Sequence, residues 1–191
     1  LTGHLSLPPE AMVASVLMGN PEDVYLVASD AGYGFLAKFE DFLTRNQKGK
    51  VLLTLPDGSL PLPPVLVSSV ETQRLVAVTS EGRMLVFPIR DLPGLSKGKG
   101  NKIIGIPASL AKDRVEVLSQ LCLLEQNETL TIHSGKRHFS LPPSALAGYE
   151  GERGRRGKRL PRGFRKVDVL SPTLLSESTK IQYPILDGLN D

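Results

Sequence analysis

The sequence has no tryptophan, a single cysteine, and aromatic residues at only 5% of its 191 positions. One cysteine, Cys122, excludes a disulfide within the chain and fits a reducing compartment. No apolar run approaches the ~20 residues that a helix needs to cross a bilayer, and no signal peptide opens the chain. The expected setting is the cytoplasm, without a membrane. Helical periodicity is also scarce. Glycine or proline interrupts nearly every window, which argues against long helices and leaves short ones around Glu40–Leu43, Pro107–Lys112 and Pro143–Ala147. The chain begins at Leu1 inside a strand-like stretch, so it reads as a piece of something longer.

What is present suits many short strands and turns: 40% hydrophobic residues, 18 glycines and 15 prolines. The formal charge is only +3 with a pI near 9.0, but the positive charge is clustered. Three segments align, starting at Val24, Arg74 and Thr129. Anchored on Ser29, Ser80 and Ser134, they stand 51 and 54 residues apart. In each, an apolar β-branched strand meets a short Ser- and Gly-containing turn ("SDAG", "SEGR", "HSGK"), and a second strand follows as in a hairpin. A helix-compatible or proline-containing piece comes next, then a basic glycine-containing loop ("RNQKGK", "SKGKGNK", "ERGRRGKR"). A further strand leaves each loop ("VLLTL", "KIIGI", "FRKVDVL"). Connecting strands lie between the units ("PVLVSSV", "VEVLSQLCLL"). About four strands per ~50 residues is the size of a propeller-type blade. The predicted fold is all-β, with four-stranded antiparallel blades, about three in number. Their approximate spans are 9–55, 56–106 and 107–170. Residues 1–8 are expected as the exit strand of a preceding blade. The tail 171–191 is expected either to be disordered or to add an edge strand through "TKIQYPIL".

The basic loops are the candidate functional feature. The run "RGRRGKRLPRGFRK", Arg153 to Lys166, holds eight Lys or Arg and no acid. It supplies Arg153, Arg155, Arg156, Lys158, Arg159, Arg162 and Arg165. The second loop supplies Lys97, Lys99 and Lys102. Lys48 and Lys50 of the first loop (beside Arg45), with Arg83, Lys136 and Arg137 at hairpin turns, are second choices. Such a band would neutralise phosphates and release counterions, with glycine letting the backbone approach them. The competing reading of any single loop is a solvated turn; three loops in register favour a band. "SKGKGNKII" is not a P-loop, since Gly100 leads through Asn101 and Lys102 into a strand. Gly32 and Gly34 lack the following helix of a dinucleotide loop. There is no reading helix, zinc-ligand spacing or aromatic ladder, so sequence-tolerant duplex binding fits best.

No constellation supports catalysis. His4, His133 and His138 are scattered, Cys122 sits in an apolar run as a core residue would, and the acid pairs Glu22–Asp23 and Glu40–Asp41 are adjacent. Tyr25, Tyr33, Tyr149 and Tyr183 have no assembled base or metal.

The stretches "SDAGYGF", "TRNQKGK", "EGRMLVFPIRDLPGLSKGKGNKIIGIP", "LTIHSGKR" and "GERGRRG" closely resemble the C-terminal domain of the A subunit of bacterial topoisomerase IV, a repeat type shared with the gyrase A subunit. The resemblance runs from Leu1 to about Leu170. It implies a β-pinwheel whose blades exchange strands and whose basic outer edge binds duplex DNA. It implies a parent type II DNA topoisomerase that uses ATP and magnesium, with the breakage tyrosine and the ATPase outside this chain and no cofactor within it. Implied partners are duplex DNA, the B subunit through a missing N-terminal part, and a condensin-type protein. Gyrase A carries a glutamine-arginine-glycine-rich box that lets the pinwheel wrap DNA. No intact copy occurs here, "ERGRRGK" being only a distant echo, which favours topoisomerase IV behaviour: decatenation and supercoil relaxation near the nucleoid. The alternative is a protein-docking module whose basic face binds a chromosome-condensation partner.

Overall fold

Strands Val24–Ser29 (β1) and Arg74–Thr79 (β4) are apolar at almost every position, so neither can leave a face in water. The structure, a computed structural model, describes residues 11–46 and 48–174, and it buries both strands on two sides. β1 forms a hairpin with Tyr33–Lys38 (β2) and pairs on its other edge with Val65–Val67 (β3). β4 forms a hairpin with Arg83–Pro88 (β5). Asn101–Lys102 (β6) crosses back to close the first sheet, in the order β3-β1-β2-β6. Leu118–Leu124 (β7) pairs with β4, and Glu128–Ser134 (β8) forms the third hairpin with Arg137–Leu141 (β9). Lys158–Arg159 (β10) closes the second sheet as β10-β5-β4-β7. Val169–Leu174 (β11) adds to β8, giving the three-stranded order β11-β8-β9 among the described residues.

The second and third basic loops therefore each feed a strand to the sheet before them. The segment boundaries near 55/56 and 106/107 divide the chain but not the sheets, because β6 and β10 belong to the next segment. This is the exchange of strands that the resemblance implied. β11 runs across the boundary expected at 170/171. The expected exit strand at 1–8 and "TKIQYPIL" lie outside the described residues.

Alternation along β4 explains the stacking. Leu75 and Ala77 face one core with Leu26, Leu85, Phe87, Ile103, Ile104 and Leu118. Val76 and Val78 face a second with Met84, Val86, Leu130, Ile132, Leu146 and Leu160. The second sheet is thus filled on both faces, and each fully buried Leu, Ile or Phe contributes roughly 1.5–3 kcal/mol of transfer free energy. Val27, Phe35 and Ala37 face a third, smaller cluster with Phe42, Leu52 and Leu53.

The expected short helices are present as a 3₁₀ turn at Phe39–Phe42 and as Ala108–Lys112 (α1) and Pro143–Leu146 (α2). Three expectations need correction. "KIIGI" is not a strand beyond Lys102, where β6 ends, because Ile103 and Ile104 turn into the core instead of continuing the sheet edge. "VLLTL" is not a strand; it makes one bridge, Leu53 to Gly98, because its amide and carbonyl groups are engaged by the second basic loop rather than by a sheet edge. And Thr79, not Ser80, is the counterpart of Ser29, since β1 and β4 lie 50 residues apart. Ser80 has moved into the turn, where its N–H donates to the Val117 carbonyl at 2.8 Å.

Candidate nucleic-acid interface

The strand register places the second and third basic loops at equivalent positions. Lys102 of β6 lies opposite Tyr33, and Arg159 of β10 lies opposite Arg83. Gly100 and Gly157 immediately precede these strands. A Cβ on Gly100 would stand 2.3 Å from the Gly34 carbonyl oxygen, and one on Gly157 would stand 2.8 Å from that of Met84. These two glycines let backbone approach backbone within the protein. That is not the role expected for them, letting backbone approach a phosphate; Gly49 and Gly98, by contrast, face open space.

Backbone hydrogen bonds join the basic segments one to the next. The Gly98 N–H donates to the Leu52 carbonyl and the Thr54 N–H to the Gly98 carbonyl, both at 2.9 Å, tying the first loop's exit to the second loop. Lys50 and Lys97 flank the resulting groove with Val51, Thr54, Ser96 and Gly98. The Gly154 N–H donates to the Ile103 carbonyl at 3.0 Å and the Gly105 N–H to the Arg155 carbonyl at 2.7 Å, tying the second loop to the third. Arg153 strengthens this seam by donating to the Lys102 carbonyl at 2.8 Å. At the far end the Leu160 N–H meets the Gly82 carbonyl and the Asp168 N–H meets the His133 carbonyl. The Gly135 N–H donates to the Asp168 carboxylate at 2.6 Å. The third loop is thereby anchored to the tips of two hairpins. The loops form one continuous ribbon of chain.

The candidate cations divide by what surrounds them. Lys48, Lys50, Lys97, Lys99, Lys102, Lys158, Arg159, Arg162, Arg165, Lys136 and Arg137 are exposed. None of them has a carboxylate within ion-pair distance among the described residues. Lys99 and Lys102 lie 4.5 and 5.9 Å from the centre of the Tyr33 ring, which gives a tyrosine without catalytic partners an electrostatic role. Lys158 also donates to the Gly148 carbonyl, and Arg137 stacks 5.6 Å from the Phe164 ring. Arg155, exposed, is paired with Glu152 at 2.7 Å. Arg156 is drawn inward, its guanidinium bound in two-pronged fashion by the buried Glu116 carboxylate. Arg83 is half-buried and donates to the Gly157 carbonyl at 3.3 Å.

Glu116 is the residue that sequence reasoning missed. Its side chain is only 1% exposed. Burial pushes its carboxyl up, but hydrogen bonds from Arg156 and Thr79 and the charges of Arg156 and Arg83 outweigh burial and hold it below the ordinary value. The one available signal was a lone acid between valines in "RVEVL".

His133 and His138, scattered in sequence, are cross-strand neighbours with ring centres 5.8 Å apart. No group of three or more metal-capable side chains forms among the described residues. Cys122 is partly buried at the edge of the second core rather than within it, and burial pushes its thiol up to about 12. No helix among the described residues is long and apolar enough to cross a membrane.

A family model described as DNA gyrase C-terminal domain, beta-propeller, matches residues 23–59 and 73–119. The chain is 50% identical over 170 residues to the A subunit of DNA topoisomerase 4 from Pseudomonas aeruginosa, covering 89% of this chain and 22% of that protein. It is 51% identical over 176 residues to the protein of the same name from Haemophilus influenzae, covering 90% and 23%. The chain thus spans under a quarter of the length of these relatives. Among solved structures, the E. coli ParC C-terminal domain superposes with a TM-score of 0.84 at 48% identity, covering 91% of this chain and 69% of that one. A DNA gyrase A C-terminal domain superposes with a TM-score of 0.62 at 16% identity, covering 81% and 50%, and is similar in fold alone.

Proposed function

The chain belongs to the family of C-terminal domains of topoisomerase IV A subunits, and from that premise we propose that it is a non-catalytic module that holds duplex DNA along its basic ribbon. The observation that carries this reading is the backbone continuity from Leu52 through Gly98, Ile103–Gly105 and Arg155 to the hairpin tips. On this reading it lines exposed lysines and arginines from three separate repeats along one track. A track of that kind follows a phosphate backbone and carries little base information. In the parent protein it would present DNA to an ATP- and magnesium-dependent strand-passage machinery and bias that machinery toward decatenation and supercoil relaxation. The breakage tyrosine and the B subunit belong, on this reading, to parts outside the chain.

The grip is uneven along the ribbon. Lys50, Lys97, Lys99 and Lys102 project without an acidic partner among the described residues. In the third loop Arg155 and Arg156 are paired with Glu152 and Glu116, so its free charge is carried by Lys158, Arg159, Arg162, Arg165 and Lys166, with Arg153 partly engaged by a carbonyl. The test is the affinity of the chain for a duplex as salt is varied. With about six phosphates neutralised, the slope of log affinity against log salt is about −5. Lys97→Gln with Lys99→Gln should reduce its magnitude by about 2, and Arg155→Gln should change it little. A slope near zero, or equal loss at Arg155 and Lys97, would refute the reading.

A further inference from the structure

At the register position where the first sheet sets Lys102 opposite Tyr33, the second sets Arg159 opposite Arg83. Like charges directly opposite on neighbouring strands are destabilising. Arg156 approaches the same pair, and burial together with the charges of Arg156 and Arg159 pulls the Arg83 guanidinium below its ordinary value. Glu116 offsets one of the three positive charges, and Arg156 takes up both of its oxygens. The Nε of Arg83 is buried and has no hydrogen-bond partner. Arg159 is exposed, with no acceptor among the described residues. The charge of Glu81 also acts on Arg83, so three guanidiniums share two carboxylates, and the folded protein holds a cluster with an excess positive charge beside a half-buried guanidinium. Arg83 braces the third loop through the Gly157 carbonyl, but strand pairing does not call for a second cation opposite it, because the first sheet closes at the same position with a neutral tyrosine.

We propose that Arg83 and Arg159, with Arg156 held behind them by Glu116, form a preorganised seat for a single phosphate of the duplex backbone. The inference rests on the duplex-binding reading and deepens it. Arginine suits the task because its planar guanidinium presents several N–H donors: the exposed Arg159 can offer two nitrogens at once, and Arg83, with Nη1 on the Gly157 carbonyl and Nε buried, offers Nη2. The Glu116–Arg156 pair sets the position of the third guanidinium before the anion arrives, so the seat needs little reordering on binding. Local rules broken without a folding benefit mark functional positions, and a bound phosphodiester removes the repulsion that the free protein carries.

The experiment uses the full chain with Arg159→Gln, Arg159→Lys and Arg83→Gln. Its probes are inorganic phosphate at constant ionic strength and a duplex of mixed sequence. In phosphate-free buffer Arg159→Gln should melt at the same temperature as the native chain or higher, because repulsion is relieved. Added phosphate should raise the midpoint of the native chain and leave that of Arg159→Gln and Arg83→Gln nearly flat. The duplex salt slope should fall in magnitude by about 0.9 for Arg159→Gln, the share of a single phosphate, and be retained in Arg159→Lys. A lower midpoint for Arg159→Gln in phosphate-free buffer would make the cluster structural and overturn the proposal. So would phosphate stabilisation with an unchanged duplex slope, since the seat would then serve free anions only. Lys97→Gln with Lys99→Gln separates the two levels. If that variant lowers the slope while Arg159→Gln does not, the seat alone fails; if neither does, the duplex-binding reading fails with it.

Discussion

Replacing Glu116 with glutamine leaves Arg156 without a carboxylate in a partly buried position. The Glu116 side chain is 1% exposed and that of Arg156 is 36% exposed. Removing one partner of a buried pair costs about 3–5 kcal/mol when the remaining charge has no access to water. Here a third of Arg156 can be solvated, and glutamine keeps an oxygen for the Thr79 hydroxyl, which donates at 2.8 Å. Both effects bring the expected cost down to about 2–3 kcal/mol. For a chain of this size that lowers the melting midpoint by roughly 5–10 °C, measurable by calorimetry or circular dichroism at neutral pH. A change under about 2 °C would show that the pair contributes nothing, and the account of the third loop as anchored through Glu116 would fall. The pH dependence supplies an independent check. The native Glu116 carboxyl lies below its unfolded value of about 4.5, so its contribution is fully present above that pH. It is lost as pH falls through the lower, folded value. Arg156→Met removes the hydrogen bond and charge that most hold the carboxyl down, leaving burial opposed only by the Thr79 hydrogen bond and the Arg83 charge, so the carboxyl rises and the variant should lose less stability than the native chain as pH falls.

Gly49 and Gly100 have nearly the same left-handed backbone, with φ of +74° and +77°, but only Gly100 faces another backbone closely. Gly49→Ala should cost about 1–2 kcal/mol of conformational strain; Gly100→Ala should cost about 1–3 kcal/mol beyond that, measured by urea unfolding, and equal costs would refute the close-approach argument. Gly100→Ala should also weaken duplex binding, because it pushes the second loop away from the first sheet. Cys122, partly buried with its thiol pushed up to about 12, should react with a thiol reagent at pH 8 well below the rate of a free thiol; labelling at the free-thiol rate would refute its packing against the second core.

The hairpins were legible because their signals are local. Alternating β-branched residues and short glycine-containing turns specify strand, turn and strand within a dozen positions, and all three hairpins stand where the pattern put them. The scarcity of long helices and the three basic loops were equally plain. Less was readable in the loops themselves. "VLLTL" has strand propensity, but it braces the second loop because that loop, and not a sheet edge, offers it donors and acceptors. The near-repeat of serines pointed to Ser80, whereas strand register selects Thr79, one residue earlier.

By itself the sequence determined the all-β repeat, the sites of its turns and the charge of its loops, since each follows from residues close together in the chain. Tertiary structure alone decided which loop strand completes which sheet and which cations remain free. Arg153, Arg155 and Arg156 are near neighbours of one type in sequence, yet the first bonds a carbonyl 51 residues away. The second pairs with an acid three residues away. The third is held by an acid 40 residues away. Composition marks all three as cations. Only the packing of one sheet's loop against another's turn decides which acid each can reach, and so how much of its charge is left for a phosphate.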